Sequence, residues 1–218
     1  GERVVEADLS DLPEMTFAPL NVLILTRKAE TGTLRRKDWS FGIPEEAFYQ
    51  RQPQKGLITK TEVRVISLSK MRIRPGQVVW DVGAGSGSVS IEAALLGAQV
   101  WAIEKNKEDC DVIRKNVEKF GTKDVTVVHG LAPAALAQLP APDAVFVGGS
   151  GGEMAEIVRL SQERLKSGGR LVLNVATLEN LVNLGDVTLV QVSRSRPILD
   201  LTRFEAQNPV FVISWEKE

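Results

Sequence analysis

The stretch Asp81-Val82-Gly83-Ala84-Gly85-Ser86-Gly87 has the residue types and spacing most able to do chemistry in this sequence. Three alternating glycines let a backbone turn tightly and approach a ligand where a Cβ would clash. A second carboxylate, Glu104, follows 23 residues after Asp81. That separation suits an acid that grips ribose hydroxyls from the end of the next strand.

Two cofactors compete for such a site. Dinucleotide folds use G-x-G-x-x-G and seat a pyrophosphate on the helix N-terminus. Here the pattern is G-x-G-x-G led by Asp81, and Ser88-Val89-Ser90 offers no further glycine. Asp81 would repel a pyrophosphate but could hold an ammonium, directly or through water. The residues therefore favour S-adenosylmethionine over a nicotinamide cofactor. A bare glycine turn without ligand is the third reading, disfavoured because three glycines cost chain entropy with no structural need.

The elements that must position these residues alternate. Thr59-Lys60-Thr61-Glu62 reads as a capping box with Thr59 as N-cap, opening a helix that runs to Arg74-Pro75-Gly76. Strands are expected at Gln77–Val82, Ala98–Glu104, Val125–Val128, Asp143–Val147 and Arg170–Val175. Helices are expected at Ser88–Leu96, Lys107–Phe120, Pro133–Gln138 and Gly152–Lys166. Two late strands, Val187–Ser195 and Pro209–Trp215, follow with the loop Arg196–Asn208 between them. Alternation of this kind implies an α/β fold with a mostly parallel sheet covered on both faces. Two final strands without a helix between them suit a seven-stranded, Rossmann-like class I methyltransferase sheet.

Upstream, Leu20–Thr26 is a β-prone run and 27–55 reads as a linker or extended arm. The chain opens on Gly1 rather than Met, the mark expected of a fragment or trimmed chain. Its 218 residues suffice for one well-packed domain. Twenty-seven basic against 28 acidic residues leave a net charge of -1, which disfavours a general nucleic-acid binder. One cysteine, Cys110, excludes an intrachain disulfide and suits a reducing cytoplasm; in a helical pattern it reads as a buried small hydrophobe. No apolar run reaches the ~20 residues of a membrane span, and no metal is expected.

Several segments together carry a resemblance. They are Gly42-Ile43-Pro44-Glu45-Glu46-Ala47-Phe48, Gly56-Leu57-Ile58-Thr59-Lys60-Thr61-Glu62-Val63-Arg64, and Trp80-Asp81-Val82 with the glycines after it. Ala102-Ile103-Glu104-Lys105-Asn106, Phe146-Val147-Gly148-Gly149-Ser150-Gly151-Gly152 and Glu205-Ala206-Gln207-Asn208-Pro209-Val210-Phe211 complete the series. The series resembles the decarboxylating precorrin methyltransferases of cobalamin biosynthesis, over about residues 41–215. The glycine loop alone marks the superfamily; the GLITK-type start and the GGSGG loop are far more specific.

The resemblance implies transfer of a methyl group to carbon 15 of a precorrin, with loss of the carbon-12 acetate carboxyl. It implies that Gly83, Ala84, Gly85, Ser86 and Gly87 wrap the methionine part of the cofactor and that Glu104, with Lys105 beside it, holds the ribose. It implies that Thr59 approaches the cofactor and that Leu131 and Ala132 cover the adenine. The family usually has Asp where Leu131 stands, so that contact rests on the backbone. Residues 1–40 resemble the junction with an upstream carbon-5 methyltransferase domain, with 41–218 the methyltransferase domain proper. A homotetramer is also implied. A helix cut to about Leu178–Leu184 departs from the pattern.

For the substrate, the backbone N–H groups of Gly148, Gly149, Ser150 and Gly151 could take a carboxylate. Arg196, with Arg194 and Arg203, could match the many carboxylates of a precorrin, or form a solvated charged loop. His129 is the tempting base, but a surface loop histidine is the favoured reading, and no catalytic residue is named. Methyl transfer needs alignment more than a strong base. The competing functions are a methyltransferase acting on protein or RNA, a nicotinamide-dependent oxidoreductase, and an inactive cofactor-binding assembly partner.

Overall fold

A computed structural model describes residues 5, 9–17, 41–51, 58–177 and 184–218. The chain divides into two compact units, Gly1–Thr33 and Leu34–Glu218. In the first, a short 3-10 helix spans Leu9–Glu14. The expected strand Leu20–Thr26 lies outside the described residues, as does most of the expected helix Leu178–Leu184.

The second unit holds the sheet. Its strands are β1 (Val78–Val82), β2 (Gln99–Glu104), β3 (Val125–His129), β4 (Ala144–Val147), β5 (Arg170–Val175), β6 (Asp186–Val190) and β9 (Val210–Glu216). They lie in the order β3-β2-β1-β4-β5-β9-β6. The first five run parallel, and β9 runs antiparallel to both β5 and β6. The chain steps outward from β1 to β3 and then returns to the other side of β1 at β4. That reversal opens a crevice above the carboxyl ends of β1 and β4, where open α/β sheets seat ligands.

Alternate residues of each buried strand serve opposite faces. On one face Val79, Val100, Phe146 and Val172 pack under α1 (Thr61–Met71) and α2 (Ser88–Leu95). Ala102 meets Ile113 of α3 (Lys107–Phe120) there. On the other face Trp80, Val82, Val145 and Leu171 meet Ile157 and Val158 of α4 (Met154–Arg164). A 3-10 turn at Ala134–Leu136 stands where a short helix was expected over Pro133–Gln138. α3 is the most amphipathic by sequence, and its ends are conventional. Asn106 accepts the Glu108 N–H as N-cap, and Gly121 closes the helix with φ 62°. Its acidic first turn is not wholly wet: Asp109 is buried and paired with Arg51.

Four expectations need correction. Thr59 is not the N-cap of α1, because Lys60 holds that position without a side-chain cap. The carboxylate of Glu45 instead accepts the Thr61 N–H at 3.0 Å, doing from a distance what Thr59 was expected to do. The part of the expected linker that is described, 41–51, is a packed strap with Ile43 and Phe48 in the core. Val187–Ser195 is not one strand: the chain leaves the sheet after Val190. The expected loop Arg196–Asn208 is largely a hairpin, β7 (Ser193–Ile198) with β8 (Leu201–Ala206), forming a separate two-stranded sheet. Its charged and exposed residues lack the apolar alternation that marks a half-buried strand.

Candidate cofactor and substrate site

A cavity of about 560 Å³ occupies the crevice above the strand ends. Its wall gathers Thr59, Asp81, Gly83, Ala84, Gly85, Glu104, Lys105, Leu131 and Ala132 from the expected cofactor set. Gly148, Gly149, Ser150 and Gly151 join them from the expected substrate set. Three expected residues stand apart. Ser86 is buried outside the cavity wall. Gly87 is the N-cap of α2 with φ 77°, and a side chain there would strike Ile113. Arg196 lies in a neighbouring hollow and pairs with Glu205.

The glycine loop follows β1 directly. Gly83 has φ 73°, and a Cβ there would stand 2.5 Å from the Gly149 carbonyl oxygen. The loops after β1 and β4 thus touch at their glycines, a close approach that any side chain would prevent.

Glu104 ends β2 with both carboxylate oxygens steered by backbone. The Gly85 N–H donates to Oε2 and the Asn106 N–H to Oε1, each at 3.0 Å. A carboxylate so fixed keeps further lone pairs for a diol. Asp81 is almost fully buried; Ser90 Oγ donates to its Oδ2, and its Oδ1 has no partner among the described residues. Burial pushes the Asp81 carboxyl up to about 7, and the charge of Glu104 adds to the rise while Ser90 opposes it. An orphaned carboxylate oxygen in a cavity wall fits a cationic group, and pairing with a cation would lower the desolvation cost of ionising it.

The upper rim is built by loops. A side chain at Gly151 would meet Lys105 Nζ and Leu131 Cδ1, so the loop after β4 folds close to both. His129 is exposed, and its Nε2 lies 3.1 Å from the Lys105 carbonyl oxygen. It is absent from the cavity wall, in keeping with the loop reading.

Reasoning from sequence missed Arg51, Asp109 and Asn174, all of which line the cavity. Arg51 Nε pairs with Asp109 at 3.0 Å. The strap carrying Arg51 is held by Asn116, which accepts the Tyr49 N–H and donates to the carbonyls of Tyr49 and Ser86. Long-range contacts of this kind leave no local pattern. Asn174 did leave one: a polar residue within the apolar strand Leu171–Val175. Arg194 was expected near substrate, yet its guanidinium is engaged by Glu45 and Glu62. Among the described residues no cluster of His, Cys, Asp and Glu could hold a metal ion.

The fold and its crevice define a class I S-adenosylmethionine-dependent methyltransferase. More narrowly, residues 49–217 match the family described as the precorrin methyltransferase domain, and the chain belongs to that family. A Pyrobaculum calidifontis relative, named a probable cobalt-precorrin-6B C(15)-methyltransferase (decarboxylating), is 41% identical over 187 residues. The match covers 79% of this chain and 94% of the relative. A Sinorhizobium precorrin-6Y C(5,15)-methyltransferase [decarboxylating] is 37% identical across 100% of this chain, which spans 54% of that protein. The crystal structure of precorrin-6y C5,15-methyltransferase from Geobacter metallireducens superposes with a TM-score of 0.74 at 41% identity. It covers 80% of this chain and 96% of its own.

Proposed function

We propose that this chain methylates carbon 15 of a precorrin macrocycle and removes the carboxyl group of the carbon-12 acetate. The observation that carries the reading is the meeting of Asp81, Glu104, Gly83 and the 148–151 loop in one cavity of a chain from this family. Bound in that cavity, S-adenosylmethionine would supply an electrophilic methyl group on a sulfonium.

The residues divide the work along the sheet. Leu131 and Ala132, after β3, cover the adenine side. Glu104, at the end of β2, takes the ribose hydroxyls, with Lys105 next to it. Asp81, at the end of β1, holds the ammonium, while Gly83 to Gly85 bring backbone close to the methionine chain. Ser86 and Gly87 shape the turn from behind, and Thr59 borders the α1 side. The backbone of Gly148 to Gly151 faces the substrate. Arg196 pairs with Glu205 only at an exposed surface, a weak bond that a substrate carboxylate could displace. The site needs no strong base, because an enamine carbon of a tetrapyrrole is already electron-rich. The chain's task is to align donor and acceptor carbon and to exclude water.

The reading extends to partners. The Sinorhizobium relative is longer than this chain by nearly half its own length, which supports a functional link to a carbon-5 methyltransferase domain, with residues 1–40 as the junction. The β7–β8 hairpin exposes Ile198, Leu199, Leu201 and Phe204, surface that supports assembly into a homotetramer. No described helix is long and apolar enough to cross a membrane; Cys110 is a free buried thiol, and we place the chain in the cytoplasm.

The test is twofold. Calorimetry should show micromolar S-adenosylhomocysteine binding and no NAD binding. Incubation with S-adenosylmethionine and a carbon-5-methylated precorrin should yield a product heavier by one methylene and lighter by one carbon dioxide, with S-adenosylhomocysteine released. NAD binding alone, or methylation of RNA or protein in place of the precorrin, sinks the reading.

A further inference from the structure

We infer that Asn174 is a substrate-binding residue, whose amide N–H groups take a carboxylate or carbonyl oxygen of the methyl acceptor; this rests on the function proposed above.

Asn174 sits on β5 and lines the cavity. Its Nδ2 is a buried donor without a partner among the described residues. A buried unpaired N–H group is costly, and native proteins rarely leave one without a use. Its other amide atom is held: Oδ1 lies 2.9 Å from Ser67 Oγ on α1. Ser67 Oγ is also 2.8 Å from the Val63 carbonyl. One hydroxyl carries one proton. The Val63 carbonyl is already served by the helical N–H of Ser67, so the proton is better placed on Asn174 Oδ1. Ser67 thereby fixes the amide with its two N–H groups unpaired.

Sheet order identifies the ligand. Adenine, ribose and ammonium positions fall over β3, β2 and β1 in turn. Asn174 lies beyond them. Asp81 pairs in register with Phe146 of β4, and Phe146 with Val172 of β5. Asn174 is two residues nearer the carboxyl end on that same face. Two strand spacings of about 4.8 Å separate it laterally from Asp81, with the buried Phe146 between. A group bound there belongs to the second reactant. An amide donor also suits a macrocycle rimmed by carboxylates, whereas a carboxylate at 174 would repel it.

Asn174→Asp, Asn174→Ala and Ser67→Ala in the full chain test this, with steady-state turnover of the carbon-5-methylated precorrin and calorimetry with S-adenosylhomocysteine. Asn174→Asp should raise the precorrin KM by roughly 10–100-fold and Asn174→Ala by about tenfold. Ser67→Ala, which only frees the amide, should raise it about threefold. The S-adenosylhomocysteine Kd should stay within about twofold throughout. Thermal melting checks that each variant folds, and Ser67→Ala carries the test if the changes at 174 do not. An unchanged KM overturns the inference, as does a KM that rises in step with a weakened Kd. If the unsubstituted chain binds S-adenosylhomocysteine but does not turn over the precorrin, the proposed function fails and this inference with it. Normal turnover with insensitive variants sinks the inference alone.

Discussion

Arg64 on α1 donates from Nε to Glu92 on α2 at 2.7 Å, and neither side chain reaches solvent. The pair is a hub. Glu92 also accepts the N–H groups of Gly42 and Ile43, while Arg64 donates to the carbonyls of Thr59 and Ile43 and lies over the Phe48 ring. Removing the cation would strand a buried carboxylate. Arg64→Met should cost about 3–5 kcal/mol in urea unfolding. Because the strap then loses its anchor, limited proteolysis should cut near 41–51 before the sheet unfolds. A variant as stable as the parent would show that the hub is dispensable.

Gly83→Ala should be far worse than a typical surface change. The added methyl meets the Gly149 backbone, and φ at 83 is left-handed. The strain expected is about 1–3 kcal/mol. S-adenosylhomocysteine affinity should fall at least tenfold, since relief requires the two glycine loops to part. Calorimetry and a thermal melt measure both effects.

Asp81 predicts a pH dependence. Its carboxyl is raised to about 7, so in the empty protein it loses its proton only around neutrality. Binding a cationic ammonium requires the ionised form. The S-adenosylhomocysteine Kd should therefore weaken as pH falls below about 7, by up to about tenfold per unit. Asp81→Asn should flatten that slope. Stability runs the other way: a raised acid favours the fold below the ordinary carboxylate range, and that contribution is lost as pH rises through about 7. Titration calorimetry from pH 5.5 to 8.5 and melts over the same range, all values chosen only to bracket about 7, separate the two signs.

Glu45 has the opposite sign. Burial would raise its carboxyl, but hydrogen bonds from Arg194, the Thr61 N–H and Lys60 outweigh burial and lower it to about 2. Its contribution is present above the ordinary carboxylate range and is lost as pH falls toward about 2. Glu45→Gln should cost about 1–2 kcal/mol near neutrality, after allowance for solvent screening. It should also flatten the acid limb of the stability curve, read by urea melts from neutral to acid pH.

How much of this was legible in the sequence depends on distance along the chain. The glycine loop and Glu104 could be placed because each ends a strand whose apolar pattern is local. α3 could be bounded to the residue because Asn106 and Gly121 are themselves the caps. The capping of α1 could not, since Glu45 reaches Thr61 from another segment. The strap escaped notice because Ile43 and Phe48 are buried by α2 and α3, not by their neighbours in sequence. The hairpin was not legible: Arg196–Asn208 reads as a loop because its outward-facing residues carry no core signature. Within the site, Arg51 and Asp109 could be paired only once the strap was placed beside α3.

The position of β9 has a consequence for synthesis. β6 leaves the ribosome before β9, yet among the described residues its one hydrogen-bonded neighbour in the finished sheet is β9. Until residues 210–216 are translated, the rim of β5 also stands open. A chain translated only as far as residue 209 therefore holds two open strand edges in water, and both close when residues 210–216 insert between them.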